Sequence, residues 1–197
     1  MQHDVERLDL PDADVTFYPR FFSIQESDHL LEELNRTTQW RQETIEANDA
    51  SIPLPRLTAW YGDPDRTYTY SGITMQPQPW TETLIEIKAR IEGVSPIAFN
   101  SVLMNLYRDG RDAVGWHSDD EPELGRDPVI GSVSFGGTRT FRLRPKSKRA
   151  GPGVEVELTH GSYLLMQGST QRFYKHQVPR TEAVVEPRIN LTFRRIG

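Results

Sequence analysis

No cysteine occurs anywhere in the 197 residues. A disulfide framework and a thiolate metal centre are therefore excluded, and any bound metal must sit on nitrogen and oxygen ligands. Long apolar runs are missing as well. No stretch approaches the roughly eighteen apolar residues that a membrane-spanning helix needs, and residues 1–10 are charged, without the apolar centre of a secretory leader. A cytoplasmic chain with no membrane partner is the expectation. An excess of positive charge is also absent: 23 Lys and Arg stand against 28 Asp and Glu, a net charge of −5. That balance runs against ordinary nucleic-acid binders, which are basic overall, unless cations gather locally. It leaves a monomer as the expected state. Repeats and low-complexity tracts are lacking too.

What is present favours a mainly β, α+β fold. Fourteen Gly and fourteen Pro punctuate many short runs of strand-forming residues. Residues 15–22 read as a strand. Ser23 and Glu26 then form a capping box ahead of a helical stripe of Leu30, Leu31 and Leu34. Helical periodicity is lost over 41–72, where Pro53, Pro55, Gly62, Pro64 and Gly72 interrupt. A second helix is expected from about 80 to 92, with Leu84, Ile87 and Ile91 on one face and Gly93 as its stop. From Phe99 onward the period changes to two, and strands are expected at 101–107, 114–119, 129–135, 138–143, 154–158, 163–167, 183–186 and 189–193. Such a series of short strands predicts a barrel or double-sheet jelly roll in a single domain, 1–197.

The segment Val114-Gly-Trp-His117-Ser-Asp119 carries the first chemistry. Alternate side chains of a strand share a face, so His117 and Asp119 project together and can bind one metal ion. A third ligand must come from elsewhere. His176 is the best candidate and His160, before a turn glycine, is its competitor. Two imidazoles and one carboxylate form the facial triad that leaves positions open and suits non-haem Fe(II). By itself His-x-Asp is a common pair, and a solvated turn histidine is the plainer reading of it.

The last strand adds a second chemistry. In Arg188-Ile-Asn190-Leu-Thr192-Phe-Arg194 the even positions are polar and the odd ones apolar, so Ile189, Leu191 and Phe193 enter a core while the arginines share the other face. Guanidinium groups match carboxylates bidentately and can grip a dicarboxylic acid. Asn105 and Tyr107 share a face of their own strand and offer an amide and a phenol to the same ligand. The plainer alternative is an edge strand with arginines in solvent, but ligand-type residues recur on three separate strands.

In order and spacing, Asn105-Leu-Tyr107-Arg, Trp116-His-Ser-Asp-Asp-Glu-Pro, Ser134-Phe-Gly-Gly-Thr-Arg-Thr-Phe and Arg188-Ile-Asn-Leu-Thr-Phe-Arg resemble the signature set of the AlkB-like nucleic-acid dealkylating dioxygenases. Pro55-Arg56-Leu-Thr-Ala-Trp-Tyr-Gly and Tyr68-Thr-Tyr70-Ser-Gly extend the likeness, which is nearest to a mammalian member of the family that favours single strands. Residues 144–153 are shorter than the matching loop of that member.

The resemblance implies a double-stranded β-helix, with 15–98 as an N-terminal helical and nucleotide-recognition part and 99–197 as the catalytic core. It implies Fe(II) on His117, Asp119 and His176, O2 as co-substrate, and 2-oxoglutarate held by Asn105, Tyr107, Arg188, Thr192 and Arg194 with Asn190 close by. The implied reaction is demethylation of 1-methyladenine and 3-methylcytosine in DNA, with RNA left open, releasing formaldehyde, succinate and CO2. Single-stranded nucleic acid is favoured, because a base in a duplex must first be flipped out. Asp120 would face the base, with Tyr68 and Tyr70 stacked on it and Trp40 and Arg56 as further substrate contacts. Arg139, Arg142, Arg144, Lys146, Lys148 and Arg149, six cations with no acid among them, would follow the phosphates, although cations also guard sheet edges. Two rivals stand beside this reading: the same chemistry on a protein, lipid or small molecule, and a non-catalytic jelly-roll binding module.

Overall fold

The computed structural model describes residues 4–47, 50–64, 68–70, 73–147 and 151–197. In chain order it forms β1 (Glu6–Arg7), β2 (Asp14–Tyr18), α1 (Ile24–Thr37), β3 (Thr44–Ala47), β4 (Ala50–Pro53), β5 (Leu57–Gly62), β6 (Tyr68–Tyr70), β7 (Ile73–Met75), α2 (Glu82–Glu92), β8 (Ser101–Tyr107) and β9 (Val114–His117). There follow β10 (Ile130–Gly136), β11 (Arg139–Pro145), β12 (Val154–Leu158), β13 (Ser162–Gln167), α3 (Thr170–Phe173), β14 (Tyr174–Val178) and β15 (Arg188–Arg194). Seven strands form one sheet in the order β1-β2-β13-β10-β15-β8-β5, and four form another in the order β12-β11-β14-β9. The strand pairs of both sheets are antiparallel. Hairpins β3–β4 and β6–β7 stand apart. Among the described residues no helix is long and apolar enough to cross a membrane.

Two apolar layers hold this together. One lies between the sheets, where Phe17, Leu103, Ile130, Leu164 and Met166 of the larger meet Phe141, Leu143, Val156, Leu158 and Val178 of the smaller. The other lies on the far side of the larger sheet, where Leu30 and Leu34 of α1 and Leu84, Ile87 and Ile91 of α2 cover Val133, Phe135, Leu165, Ile189, Leu191 and Phe193. β15 is thus read correctly from its alternation. Its odd residues enter the helix-side core and its even residues face the space between the sheets.

Both helices begin where a side chain can cap them. Ser23 and Glu26 close the expected box on α1, and Thr81 accepts from Leu84 N–H at the start of α2. The second helix therefore starts after Trp80, whose indole instead donates to Asp63 at 2.8 Å. The Glu26 carboxyl is held down to about 2, first by the Ser23 backbone N–H and then by Arg90. Its contribution to stability is present above the usual carboxylate value near 4.5 and is lost as pH falls toward 2. Ser23→Ala is expected to lower stability by about 1 kcal/mol at neutral pH. In urea unfolding the gap between wild type and Glu26→Gln should narrow as pH drops from about 5 toward 3.

Some strand expectations need correction, and other strands form where none was assigned. The strand expected at 183–186 does not form. β10 already has β13 and β15 as neighbours, so no sheet edge is free there, and Val184 stands fully exposed. The strand expected at 15–22 stops at Tyr18, and Phe21 and Phe22 turn into the helix-side core. β5, like β3, β4 and β6, forms in the segment 41–72, for which only a loss of helical periodicity was read, and it pairs with β8. β14 was also missed, although Tyr174, His176 and Val178 are buried and Lys175 between them is exposed.

Candidate active site

His117 and His176 stand directly opposite each other on β9 and β14, so their side chains share the inner face of the smaller sheet. Their ring centroids are 4.2 Å apart. The Asp119 carboxylate lies 4.0 Å from His117 Nε2 and 3.8 Å from His176 Nε2. One ligand atom from each of the three falls within 4.8 Å of the others, the one group of this kind among the described residues. His160 is elsewhere. Its Nδ1 accepts from Gly136 N–H at 2.8 Å, and its ring packs against Phe135 of the helix-side core.

Asp119 reaches the cluster by a route that strand periodicity does not explain, because β9 ends at His117. Its backbone N–H donates to Gln171 Oε1 at 3.0 Å. The preceding Ser118 hydroxyl donates to Tyr174 O at 2.8 Å. Arg194 Nη2 donates to Asp119 Oδ1 at 2.7 Å. On the other side, the His117 Nδ1–H faces Gly115 O at 2.8 Å, which directs the Nε2 lone pair toward the cluster. His176 lies stacked on Phe141, with centroids 5.2 Å apart.

These surroundings fix the protonation states of His176 and Asp119. Burial, and then His117, push the His176 imidazole down to about 3, so it is neutral at physiological pH. Burial alone would raise the Asp119 carboxyl, but the charge of Arg194 with the two histidines more than offsets it and holds the group at about 2. A neutral His176 imidazole and an ionised Asp119 carboxylate are deprotonated donors that, with the His117 imidazole beside them, suit a ferrous ion.

The even residues of β15 continue the cup away from the metal cluster. Arg188 lies opposite Tyr107, Asn190 opposite Asn105 and Arg194 opposite Ser101. Arg188 is 1 % exposed, and burial pushes its guanidinium down to about 10. Its Nη2 donates to Ser134 Oγ at 2.9 Å and its plane lies 5.1 Å from the Tyr107 ring. Its Nε and Nη1 have no hydrogen-bond partner among the described residues. A buried cation with open donors is costly unless an anion completes it. The same cup is lined by Asn105, Thr192, Ser132, Met166 and the three metal-ligand candidates.

Several expected contacts have other work in the structure. Asn190 donates to Ser132 Oγ and Val133 O at 2.8 and 2.9 Å and accepts from Thr192, so it braces the sheet. Arg56 is buried, lines the cup and donates to Asn105 Oδ1 at 2.8 Å. Trp40 packs against the helix-side core, across the larger sheet from the cup. Asp120 is at the rim, paired with Lys146 at 2.9 Å.

The expected basic stripe is broken. Arg139 is 3 % exposed and donates to the carbonyls of Asp109, Asp112 and Pro179. Arg142 pairs with Glu155 at 2.7 Å, an acid that lies on the neighbouring strand rather than in the stripe. Arg144 lies over Trp116. The side chains of Tyr68 and Tyr70, and the whole of Lys148 and Arg149, lie outside the described residues. Ser132, Ser134, Phe141 and Gln171 were not anticipated. The two serines had a signal, since Ser132-Val-Ser134 alternates within a strand.

The chain matches the model of the 2OG-Fe(II) oxygenase superfamily over residues 14–194 and belongs to that superfamily. Within it the chain is AlkB-like. It is 47% identical over 190 residues to the human alpha-ketoglutarate-dependent dioxygenase alkB homolog 3, covering 92% of this chain and 66% of that protein. It is 38% identical over 188 residues to the human DNA oxidative demethylase ALKBH2, covering 91% and 72%. The solved structure of OsALKBH1 superposes with a TM-score of 0.69 at 18% identity, covering 98% of this chain and 100% of that one, a likeness of fold. The chain thus spans just under two thirds of the length of the alkB homolog 3 proteins it matches.

Membership implies Fe(II), 2-oxoglutarate and O2. The residues fit that set. The donors are nitrogen and oxygen only, they converge in one cluster with two of its three residues buried, and a guanidinium with two nitrogens unpartnered among the described residues waits in the same cup.

Proposed function

We propose that this chain oxidatively demethylates N-alkylated bases, 1-methyladenine and 3-methylcytosine, in DNA and also in RNA. The observation that carries the reading is the presence, in one cup, of a two-histidine, one-carboxylate cluster, with His176 and Asp119 buried, and a buried arginine with open donors. The likeness to the human DNA oxidative demethylase ALKBH2 supports the substrate class.

Fe(II) with 2-oxoglutarate and O2 supplies an oxidant for the N-methyl C–H bond, with succinate, CO2 and formaldehyde as products. The chain's own part is to bind, orient and exclude water. His117, Asp119 and His176 hold the metal. Arg188 takes the distal carboxylate of 2-oxoglutarate beside Tyr107, with Asn105, Asn190 and Thr192 lining the cup. Arg194 fixes the Asp119 carboxylate through its hydrogen bond and faces the metal end of the diacid.

Asp120 suits a cationic methylated ring at the mouth, with Lys146 as its partner before substrate arrives, and Tyr68 and Tyr70 stack on the base. Arg56 acts on substrate indirectly, through Asn105. Residues 1–197 act as one domain, a monomer working on single-stranded nucleic acid in the cytoplasm.

The test is a panel of methylated DNA and RNA oligonucleotides, single- and double-stranded, with repaired base, formaldehyde and succinate measured together. Equimolar succinate and formaldehyde from 1-methyladenine is the expected result. Succinate formation without repair of any base would reject the nucleobase substrate and leave the dioxygenase. Absence of iron-dependent succinate would reject both.

A further inference from the structure

The outer face of the four-stranded sheet, opposite the metal cluster, is divided by charge. Its residues follow from register. Leu143 and His176 are partners that face inward, so Arg142 opposite Gln177 and Arg144 opposite Lys175 face outward. His117 faces inward against His176, so Trp116 faces outward beside them. On the β12 side the cations and hydroxyls are answered: Arg142 pairs with Glu155 and Thr140 donates to Glu157 at 2.7 Å. On the β14 and β9 side, Arg144 and Lys175 make no ion pair among the described residues. The Arg144 guanidinium instead lies 4.1 Å from the centroid of the half-exposed Trp116 ring.

This arrangement is locally unfavourable. Like charges directly opposite on neighbouring strands destabilise the pair, and an anion above Arg144 and Lys175 would remove that penalty. An indole face beside two unanswered cations is also the combination that holds single-stranded nucleic acid, by stacking and phosphate contact together. β9 is the edge of its sheet. Its inner side presents His117, 25 % exposed, and its outer side presents the next residue back, Trp116.

We propose that this outer face binds the nucleotides flanking the target base. The strand passes around the β9 edge, one neighbouring base stacks on Trp116, and its phosphates lie over Arg144 and Lys175. A duplex is too stiff to turn around one β-strand, so the surface selects single strands. The proposal rests on the nucleobase reading above.

The test uses the full chain and a labelled single-stranded oligonucleotide of about fifteen residues with one central 1-methyladenine, compared with the same sequence as a duplex. Binding is followed by anisotropy across a salt series, and each variant's folding is checked by thermal unfolding. Trp116→Ala should weaken single-strand binding tenfold or more, and Trp116→Phe should recover most of it. The double variant Arg144→Gln, Lys175→Gln should reduce the slope of log K against log salt by about 1.4, at ~0.7 per phosphate contact. Unchanged affinity in Trp116→Ala and an unchanged slope in the double variant, with wild type still binding and repairing the oligonucleotide, would overturn this proposal alone. An equal loss on duplex would also overturn it. Wild type that neither binds nor repairs any oligonucleotide would instead remove the reading beneath it.

Discussion

Asp119→Ala is expected to destabilise the chain by about 3–5 kcal/mol even with no metal present, and to abolish both iron-dependent succinate formation and stabilisation by a divalent ion. The first effect follows from Arg194. Its side chain is 3% exposed and donates to a carboxylate that is 1% exposed, so truncating the acid leaves a buried cation without its counter-charge. The second follows from the ligand set, which loses its only anionic donor. Asp119→Asn keeps the shape and a hydrogen bond to Arg194, so it should lose metal binding while losing less stability.

Acid should act on the same cluster in two stages. His176 is held near 3, so below about 6.5 the unfolded chain binds a proton that the folded chain refuses. Stability then falls with falling pH across that window. Asp119, held near 2 against a usual 3.8, adds its loss below about pH 4. Unfolding midpoints of the metal-free protein should therefore decline from pH 6.5 downward, and His176→Phe, which retains a ring against Phe141, should flatten the decline between about pH 6.5 and 4.5. An Asp119→Ala chain as stable as wild type would show that Arg194 does not depend on that carboxylate.

The contrast between β15 and Asp119 shows what could be read from the chain alone. β15 spans seven residues of strict alternation, and because each face of a central strand meets a different environment, its pattern assigns both the core face and the cup face. The same-face placement of His117 and Asp119 was reached by assuming one strand through both. The strand ends at His117, and Asp119 is held instead by Gln171 and Arg194, more than fifty positions away along the chain. Such anchors leave no periodic trace. β14 was legible and was missed, because its inward residues include a histidine that hydrophobic patterning does not count.

The basic stripe failed for a different reason. A run of cations without acids in sequence says nothing of the neighbouring strand, and β12 brings Glu155 against Arg142 while Arg139 turns inward to three carbonyls. What survives of that stripe on the outer face, Arg144, is joined by Lys175 and Trp116 from strands whose sequences gave no sign of proximity.

Replacing Arg188 by Met should leave the chain at least as stable as wild type when 2-oxoglutarate is absent, and should raise the 2-oxoglutarate requirement 100-fold or more. The two halves have one cause. In the free protein Arg188 is a fully buried charge that donates to Ser134, lies against Tyr107 and keeps Nε and Nη1 without a hydrogen-bond partner among the described residues. An apolar side chain of similar volume relieves that burden, as replacements of buried ion pairs by well-packed hydrophobic residues often do. In the proposed complex the open nitrogens would donate to a diacid carboxylate, and truncating one partner of a buried charge pair costs on the order of 2–5 kcal/mol.

The separation is visible in thermal unfolding. Wild type should gain about 2.7 kcal/mol at a diacid concentration 100 times its dissociation constant, and Arg188→Met should gain almost nothing at the same concentration. Arg188→Lys should not restore the gain, because an ammonium offers a point charge where the cup is built for a planar fork, with Tyr107 stacked against that plane. Arg188→Met with an unaltered 2-oxoglutarate requirement would move the diacid out of this end of the cup, and the open guanidinium would then need another anion.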